Sequence, residues 1–296
     1  MSININRFKG LIPALLTPYG KNGSINPVAL EQLSGDCISR GVDGFYVGGS
    51  TGEAFLLSTG ERKELIKLAV KAINGKKPVI CQVGAVGTGI AIELARWAEE
   101  NGADAISAVA PFYYPFSKEQ ILNHYTAITD SVSIPMIVYN IPGLSGVSLS
   151  EDDFKRLYEH ERIIGVKHTH HNLFEMERIK AIDPNRLVFF GFDEVTLAGA
   201  AMGADGAIGS TFNLMAGNYI RIRELFAKGK NSEALAEQKI VNEIISAMIP
   251  PGVFSSLKYA ITTRRGIPMG DVRAPFTPLD DKEKARLDAV LDKYGI

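Results

Sequence analysis

The chain has 296 residues, enough for two domains of roughly 100–200 residues, although α/β barrels of ~250 residues fold as one unit. Hydrophobic residues make up 46% and charged residues 22%, an ordinary globular composition that excludes disorder, collagen and coiled coil. Lys and Arg total 32 against 33 Asp and Glu, a formal net charge of −1, so no basic excess exists to neutralise a phosphate backbone and nucleic-acid binding is disfavoured.

The two cysteines, Cys37 and Cys81, form neither a CxxC pair nor a disulfide framework, which fits a reducing compartment. The amino terminus, from Met1 to Asn6, carries no apolar signal core and no Arg-rich presequence. The longest apolar stretch, Ala105 to Phe116, is interrupted by Ser107, Pro111 and Pro115 and falls short of the ~20 residues that span a bilayer. A soluble cytoplasmic protein with no membrane partner is expected.

Short β-rich runs alternate with helix-like segments. In chain order the predicted strands are Leu11–Leu16, Gly44–Val47, Pro78–Gln82, Ala105–Val109, Pro135–Tyr139, Ile163–Lys167, Leu187–Phe190 and Gly206–Ile208. The helical patterns between them include Pro27–Ser39, Gly60–Ile73, Gly89–Asn101, Lys118–Thr129 and Asp152–Glu159, and Ser58 with Glu61 predicts a capping box for the second. Continuous apolar strands separated by helices imply a parallel sheet covered on its outer face. Eight such repeats predict a closed (β/α)8 TIM barrel. Beyond about Ser210 helices follow without strands, at Tyr219–Ala227, Ser232–Met248 and Lys282–Leu291, with a break at Pro250-Pro251. The barrel is expected over 1–215 and an appended C-terminal helical extension over 216–296, as a single structural unit.

Active sites of such barrels lie at the carboxyl ends of the strands, so reactive residues that end strands matter most. Lys167 closes Ile163-Ile-Gly-Val-Lys, and period-two alternation puts Thr169 on its face and His168 and His170 on the other. A desolvated lysine at a barrel mouth can attack a carbonyl and form an imine; a lysine that simply snorkels past the strand end would look the same in sequence. Tyr139 ends the neighbouring run, where a phenol can pass a proton or merely pack. Gly48-Gly-Ser-Thr-Gly-Glu53 follows the second strand, and its backbone N–H groups with the Ser50 and Thr51 hydroxyls could cradle a carboxylate or phosphate. It lacks the Gly-Lys-Ser/Thr ending of a nucleotide loop. The same stretch matches Gly-x-Ser-x-Gly with Ser50 as a hydrolase nucleophile, but no helix follows the serine directly. Gly84-Ala-Val-Gly-Thr-Gly89 is not a dinucleotide fingerprint. His168, His170 and His171 invite a metal reading, yet no Cys or carboxylate motif completes a set, so no metal ligands are expected there and a solvent-exposed polar corner is.

Together these pieces resemble one family, the pyruvate-dependent class I lyases of the N-acetylneuraminate lyase and dihydrodipicolinate synthase superfamily. The resemblance runs from Gly10-Leu-Ile-Pro-Ala-Leu-Leu-Thr-Pro18 to Pro275-Phe-Thr-Pro278. Its most specific parts are Gly48-Gly-Ser-Thr-Gly-Glu53, Tyr139-Asn-Ile-Pro142 and Gly165-Val-Lys-His-Thr169. It implies that Lys167 forms the imine with pyruvate, that Tyr139 shuttles the proton, and that Ser50 and Thr51 bind the pyruvate carboxylate. It also implies a homotetramer in which Tyr113, from Pro111-Phe-Tyr-Tyr-Pro115, reaches a neighbouring subunit's site.

Where family members that condense pyruvate with an aspartate semialdehyde tend to place an arginine, this chain has Leu144, which cannot pair with a carboxylate. Gly191, Asp193, Glu194 and Ser210 match positions where sialic acid lyases contact the sugar's hydroxyl tail, and carboxylates suit such a chain as acceptors. An acidic pair at a helix start, Glu194 especially, would also face the helix dipole. The expected reaction is reversible cleavage of N-acetylneuraminate to N-acetylmannosamine and pyruvate, with these small molecules as the only partners besides the chain's own copies. It needs no metal or cofactor, and chelation is expected to leave turnover intact. A related aldolase acting on another 2-keto-3-deoxy acid would share Lys167 and Tyr139, a serine hydrolase would use Ser50, and a binding protein would hold the sugar without turnover.

Overall fold

Eight parallel strands, in the order β1-β8-β7-β6-β5-β4-β3-β2, form one sheet that curls back on itself. The computed structural model describes residues 4–296, so the first three residues of the amino-terminal stretch read above, Met1 to Ile3, lie outside it. The strands are β1 (Gly10–Pro13), β2 (Phe45–Val47), β3 (Val79–Gln82), β4 (Ala105–Val109), β5 (Met136–Asn140), β6 (Ile163–His168), β7 (Leu187–Phe190) and β8 (Gly206–Gly209). The barrel closes where Ala14, just past β1, bridges Tyr46 in parallel and Leu15 donates its N–H to the Tyr46 carbonyl at 2.8 Å. The chain is a (β/α)8 barrel, as its periodicity predicts.

The helices are α1 (Pro27–Ser39), α2 (Thr59–Ile73), α3 (Thr88–Glu100), α4 (Lys118–Asp130), a single turn α5 (Pro142–Ser145), α6 (Glu151–Tyr158), α7 (Leu173–Ile182), α8 (Thr196–Ala201) and α9 (Phe212–Ala227). The capping box at α2 forms as expected, with the Ser58 hydroxyl accepting from Glu61 N–H and the Glu61 carboxylate accepting from Ser58 N–H. The last barrel helix, α9, runs past the expected boundary at 215. Beyond it, α10 (Asn231–Met248), α11 (Val253–Arg265) and α12 (Asp281–Tyr294) follow the repeat, and α5 is an extra turn within it. No single helix among the described residues is long and apolar enough to cross a membrane.

Two apolar cores follow from strand alternation. One fills the barrel with Ile12, Tyr46, Ile80, Ile137, Tyr139, Leu187, Phe189 and Ile208, and Phe8 packs against it from the amino-terminal segment. The other lies between strands and helices and includes Val47, Met136, Val138, Val166 and Val188.

One irregularity sets the chemistry. Met136 pairs with Ile163, but Ile137 pairs with Gly165, so Ile164 is an extra residue in β6. Such a bulge reverses which face the following residues present. Ile163 faces the helices, and an unbroken alternation from it would aim Lys167 outward as well. With the bulge, Lys167 pairs beside Tyr139 and both project into the barrel.

Candidate active site

The strand carboxyl ends surround a cavity of about 400 Å³. Ser50 and Thr51 line it from the loop after β2, Tyr139 from β5, Lys167 from β6 and Thr169 from just past its end. Gly191, Asp193 and Glu194 come from the loop after β7, and Ser210 and Thr211 from that after β8. The structure therefore brings together every site residue expected from sequence except Tyr113.

Lys167 is only 4% exposed, which removes the snorkelling alternative. Its Nζ stands 4.0 Å from the ring centroid of Tyr139 and 4.5 Å from that of Tyr46. No carboxylate pairs with it among the described residues. Tyr46 meets Tyr139 edge-on, with centroids 5.9 Å apart, and bonds the Ser107 hydroxyl at 3.0 Å. Burial raises the Tyr46 phenol well above its usual range, so it stays protonated and acts as packing beneath the amine. Tyr46 was not among the residues expected at the site; its signal is the alternation of Phe45-Tyr46-Val47, which places the tyrosine alone of the three on the barrel side.

The Gly48–Glu53 loop folds as a single 3-10 turn over Ser50–Gly52. The N–H groups of Ser50 and Thr51 open that turn and precede its first internal bonds, and both residues line the cavity. Thr51 and Ser210 hydroxyls meet at 2.7 Å and join the loops after β2 and β8. The turn is anchored from behind. Glu53, left-handed at φ 58°, forms a buried ion pair of 2.7 Å with Lys258 and accepts the Arg273 N–H at 2.7 Å. No α-helix begins until Thr59, and no histidine hydrogen-bonds Ser50 among the described residues, so the hydrolase elbow is absent.

Asp193 turns its Oδ2 to Thr211, accepting the backbone N–H and the hydroxyl at 2.7 Å each. Burial pushes its carboxyl up to about 6, against the pull of those two bonds. Glu194 lies beside it, half-buried, in the first turn before α8. Gly191 is a glycine because a Cβ there would collide with the Thr169 hydroxyl. That hydroxyl is buried and has no hydrogen-bond partner in the protein.

Three expectations need correction or extension. The histidine corner is not solvent-exposed throughout: His168 is fully buried, His170 half-buried, and only His171 exposed, stacked on Phe192 at 4.1 Å. Burial lowers His168 to about 4, so it carries no charge at neutral pH. A carboxylate does complete the histidine group, because the Asn172 cap starts α7 so that Glu175, at its third position, turns back toward the strand end. Finally, the appended helices wall the cavity: Gly252, Val253, Phe254, Ser255 and Phe276 line it. The sequence pattern alone implies only a helical extension packed on the barrel there. Tyr113 stands outside the cavity of its own chain, 85% exposed.

A buried lysine at a barrel mouth, beside a phenol and a hydroxyl-bearing turn, is the arrangement that imine chemistry on a small keto acid requires. The chain matches the dihydrodipicolinate synthetase family model over residues 7–294 and belongs to that family. Its structure superimposes on CdNal from Clostridium difficile, solved in complex with mannosamine, with TM-score 0.93 and 41% identity over 97% of this chain and 99% of that one. The N-acetylneuraminate lyase from Fusobacterium nucleatum gives 0.92 and 36% over 97% and 99%. A dihydrodipicolinate synthase from Bacillus anthracis gives 0.92 at 29% over 96% and 98%.

Proposed function

We propose that this chain is a Schiff-base aldolase that reversibly cleaves N-acetylneuraminate to N-acetylmannosamine and pyruvate. The observation that carries the reading is Lys167, 4% exposed and without a carboxylate partner, its Nζ 4.0 Å from the Tyr139 ring centroid in the cavity. Likeness to a solved N-acetylneuraminate lyase at 36% identity and to a mannosamine complex at 41% supports the sugar class. Leu144, exposed at the cavity edge, offers nothing to a charged aldehyde and favours the same choice.

Lys167 Nζ adds to the ketone carbon, the carbonyl oxygen leaves as water, and an iminium results. Ser50 and Thr51 hold the adjoining carboxylate, which fixes the keto acid for reaction. Tyr139 relays the proton from the hydroxyl on the far carbon of the breaking bond. The bond's electrons pass into the iminium, releasing the amino sugar and leaving an enamine. Tyr139 returns a proton to the enamine carbon, and water frees pyruvate and the amine. Thr169, Gly191, Asp193, Glu194 and Ser210 face the hydroxylated remainder of the substrate.

We further infer a cytoplasmic homotetramer in which Tyr113 completes a neighbour's site. The shared site is supported by the exposure of Tyr113, its left-handed φ of 80° and its edge-on packing with Tyr114 at 5.0 Å. Mixing inactive Lys167→Ala and Tyr113→Ala chains regains activity if sites are shared between subunits, and stays inactive if they are not.

Incubation with N-acetylneuraminate and borohydride, followed by peptide mapping, tests the chemistry. A reduced pyruvyl adduct on Lys167 is expected. An adduct from pyruvate but not from N-acetylneuraminate would transfer the reading to another 2-keto-3-deoxy acid, and none from either would refute it.

A further inference from the structure

The side of β6 opposite the catalytic lysine carries polar groups that imine chemistry does not use. His168 points away from Lys167, toward the layer beneath α7, and is fully buried. Its Nδ1 meets the Asn140 amide nitrogen at 3.2 Å, while its Nε2 is buried with no hydrogen-bond partner. His170 Nδ1 is likewise buried and makes no hydrogen bond, though it lies 3.4 Å from Oε2 of Glu175. One ligand atom from each of His168, His170 and Glu175 falls within 4.8 Å of the other two.

We propose that His168, His170 and Glu175 form a binding site for one divalent transition-metal ion of the zinc type, separate from the catalytic cavity. Two imidazoles and a carboxylate are a common protein ligand set for zinc, with a fourth position left to water. Bonds of ~2.1 Å in a tetrahedron hold ligand atoms roughly 3.3 Å apart, so the group must contract by about 1.5 Å at most. His168 is fixed by packing, whereas His170 and Glu175 are half-buried and can rotate inward. Their exposed side also gives the ion its route in.

An ion pair between His170 and Glu175 alone does not account for the arrangement. It leaves Nε2 of His168 buried without a well-aligned hydrogen bond, with only the Asn172 backbone close to the ring, and a metal bond would satisfy it. Coordination through Nε2 puts the ring proton on Nδ1. Asn140 can receive it after its amide turns to present the oxygen, the usual outer support for a metal-bound imidazole. The ion ties the end of β6 to the first turn of α7. No step of the cleavage passes through it.

The test uses the full chain, stripped with chelator and titrated with Zn²⁺ by calorimetry, and with Co²⁺ by visible absorption. One ion per chain and the intense visible bands of tetrahedral Co²⁺ are expected. His170→Ala and Glu175→Gln should each weaken Zn²⁺ binding by at least about tenfold, while Lys167→Ala leaves it unchanged. On the unaltered protein, Zn²⁺ should shield His170 from diethyl pyrocarbonate and leave His171 reactive. Absence of stoichiometric binding, equal affinity in both variants and the parent, or no shielding of His170 would each overturn the site.

Discussion

Gly165 is the position where a single methyl group should separate catalysis from stability. A Cβ there would collide with the Leu187 carbonyl oxygen and stand 2.8 Å from Leu187 Cβ, where carbon–carbon contacts settle at about 3.5–4.0 Å. Strand β6 must therefore move roughly 1 Å away from β7. The shift falls at the bulge two residues before Lys167, so the amine moves with it. A misplacement of about 1 Å costs ~100-fold in rate, or about 2.7 kcal/mol of barrier. Overpacking costs about 1–3 kcal/mol of stability, less about 0.4–1 kcal/mol regained by stiffening the unfolded chain. For 296 residues at about 2.1 cal/mol/K each, the net lowers the melting temperature by no more than about 4 °C. The assay is pyruvate release coupled to lactate dehydrogenase, with borohydride trapping as a second readout. Gly35→Ala is the control: it sits within α1, nothing lies within 4 Å of the place its methyl would take, and the rate should not change. If Gly165→Ala keeps kcat/KM within about twofold of the parent, the bulge does not set the position of the amine.

Two further outcomes follow from buried charge. Lys258→Met strands the Glu53 carboxylate, whose partner is 2% exposed and itself 0%; the loss should be about 3–5 kcal/mol, or roughly 5–8 °C in melting temperature. KM for pyruvate should rise too, because Glu53 closes the Ser50–Gly52 turn, and adding Glu53→Gln should recover part of the lost stability. No measurable change in melting would sink this account. Asp193 holds its proton up to about 6 in the folded chain, against about 3.9 unfolded. Its contribution is therefore fully present below about pH 4 and lost as pH rises through 6, worth roughly 3 kcal/mol. Urea unfolding of the parent and Asp193→Asn at several pH values should show the parent losing ground to the variant by that amount across the window. A constant difference would refute it.

Much of the barrel was legible because each strand is a short apolar run between helical patterns, and Ser58 and Glu61 mark one helix start directly. Strand β8 was the hardest to read, and the structure supplies the reason. Side chains at Gly206 and Gly209 would collide with the Gly10 backbone and the Asp193 carboxylate, so the glycines that erase its periodicity are required by packing. Helix α11 escaped notice for a different cause. Its buried face carries Ser255, Ser256 and Lys258 among its apolar residues, so the 3.6-residue pattern is broken where a polar network was built. The wall it gives the cavity depends on the chain folding back across the barrel mouth, and nothing local in the sequence records that.

The catalytic face itself shows where pattern reading stops. Alternation correctly joins Lys167 to Thr169 and sets His168 apart, since these relations span one or two residues. Which of the two faces points inward depends on the register with β5, and the extra residue at Ile164 decides it. Gly165 is the one local sign, a glycine inside an apolar run, where a bulge or a close backbone approach is the usual cause. Here both causes operate at once. The same half-turn that brings the lysine into the cavity sends His168 to the opposite side, where its imidazole and the carboxylate of Glu175 come within reach of one another. The proposed imine site and the proposed metal site are thus two consequences of one inserted residue, and a change that removes the bulge should disturb both.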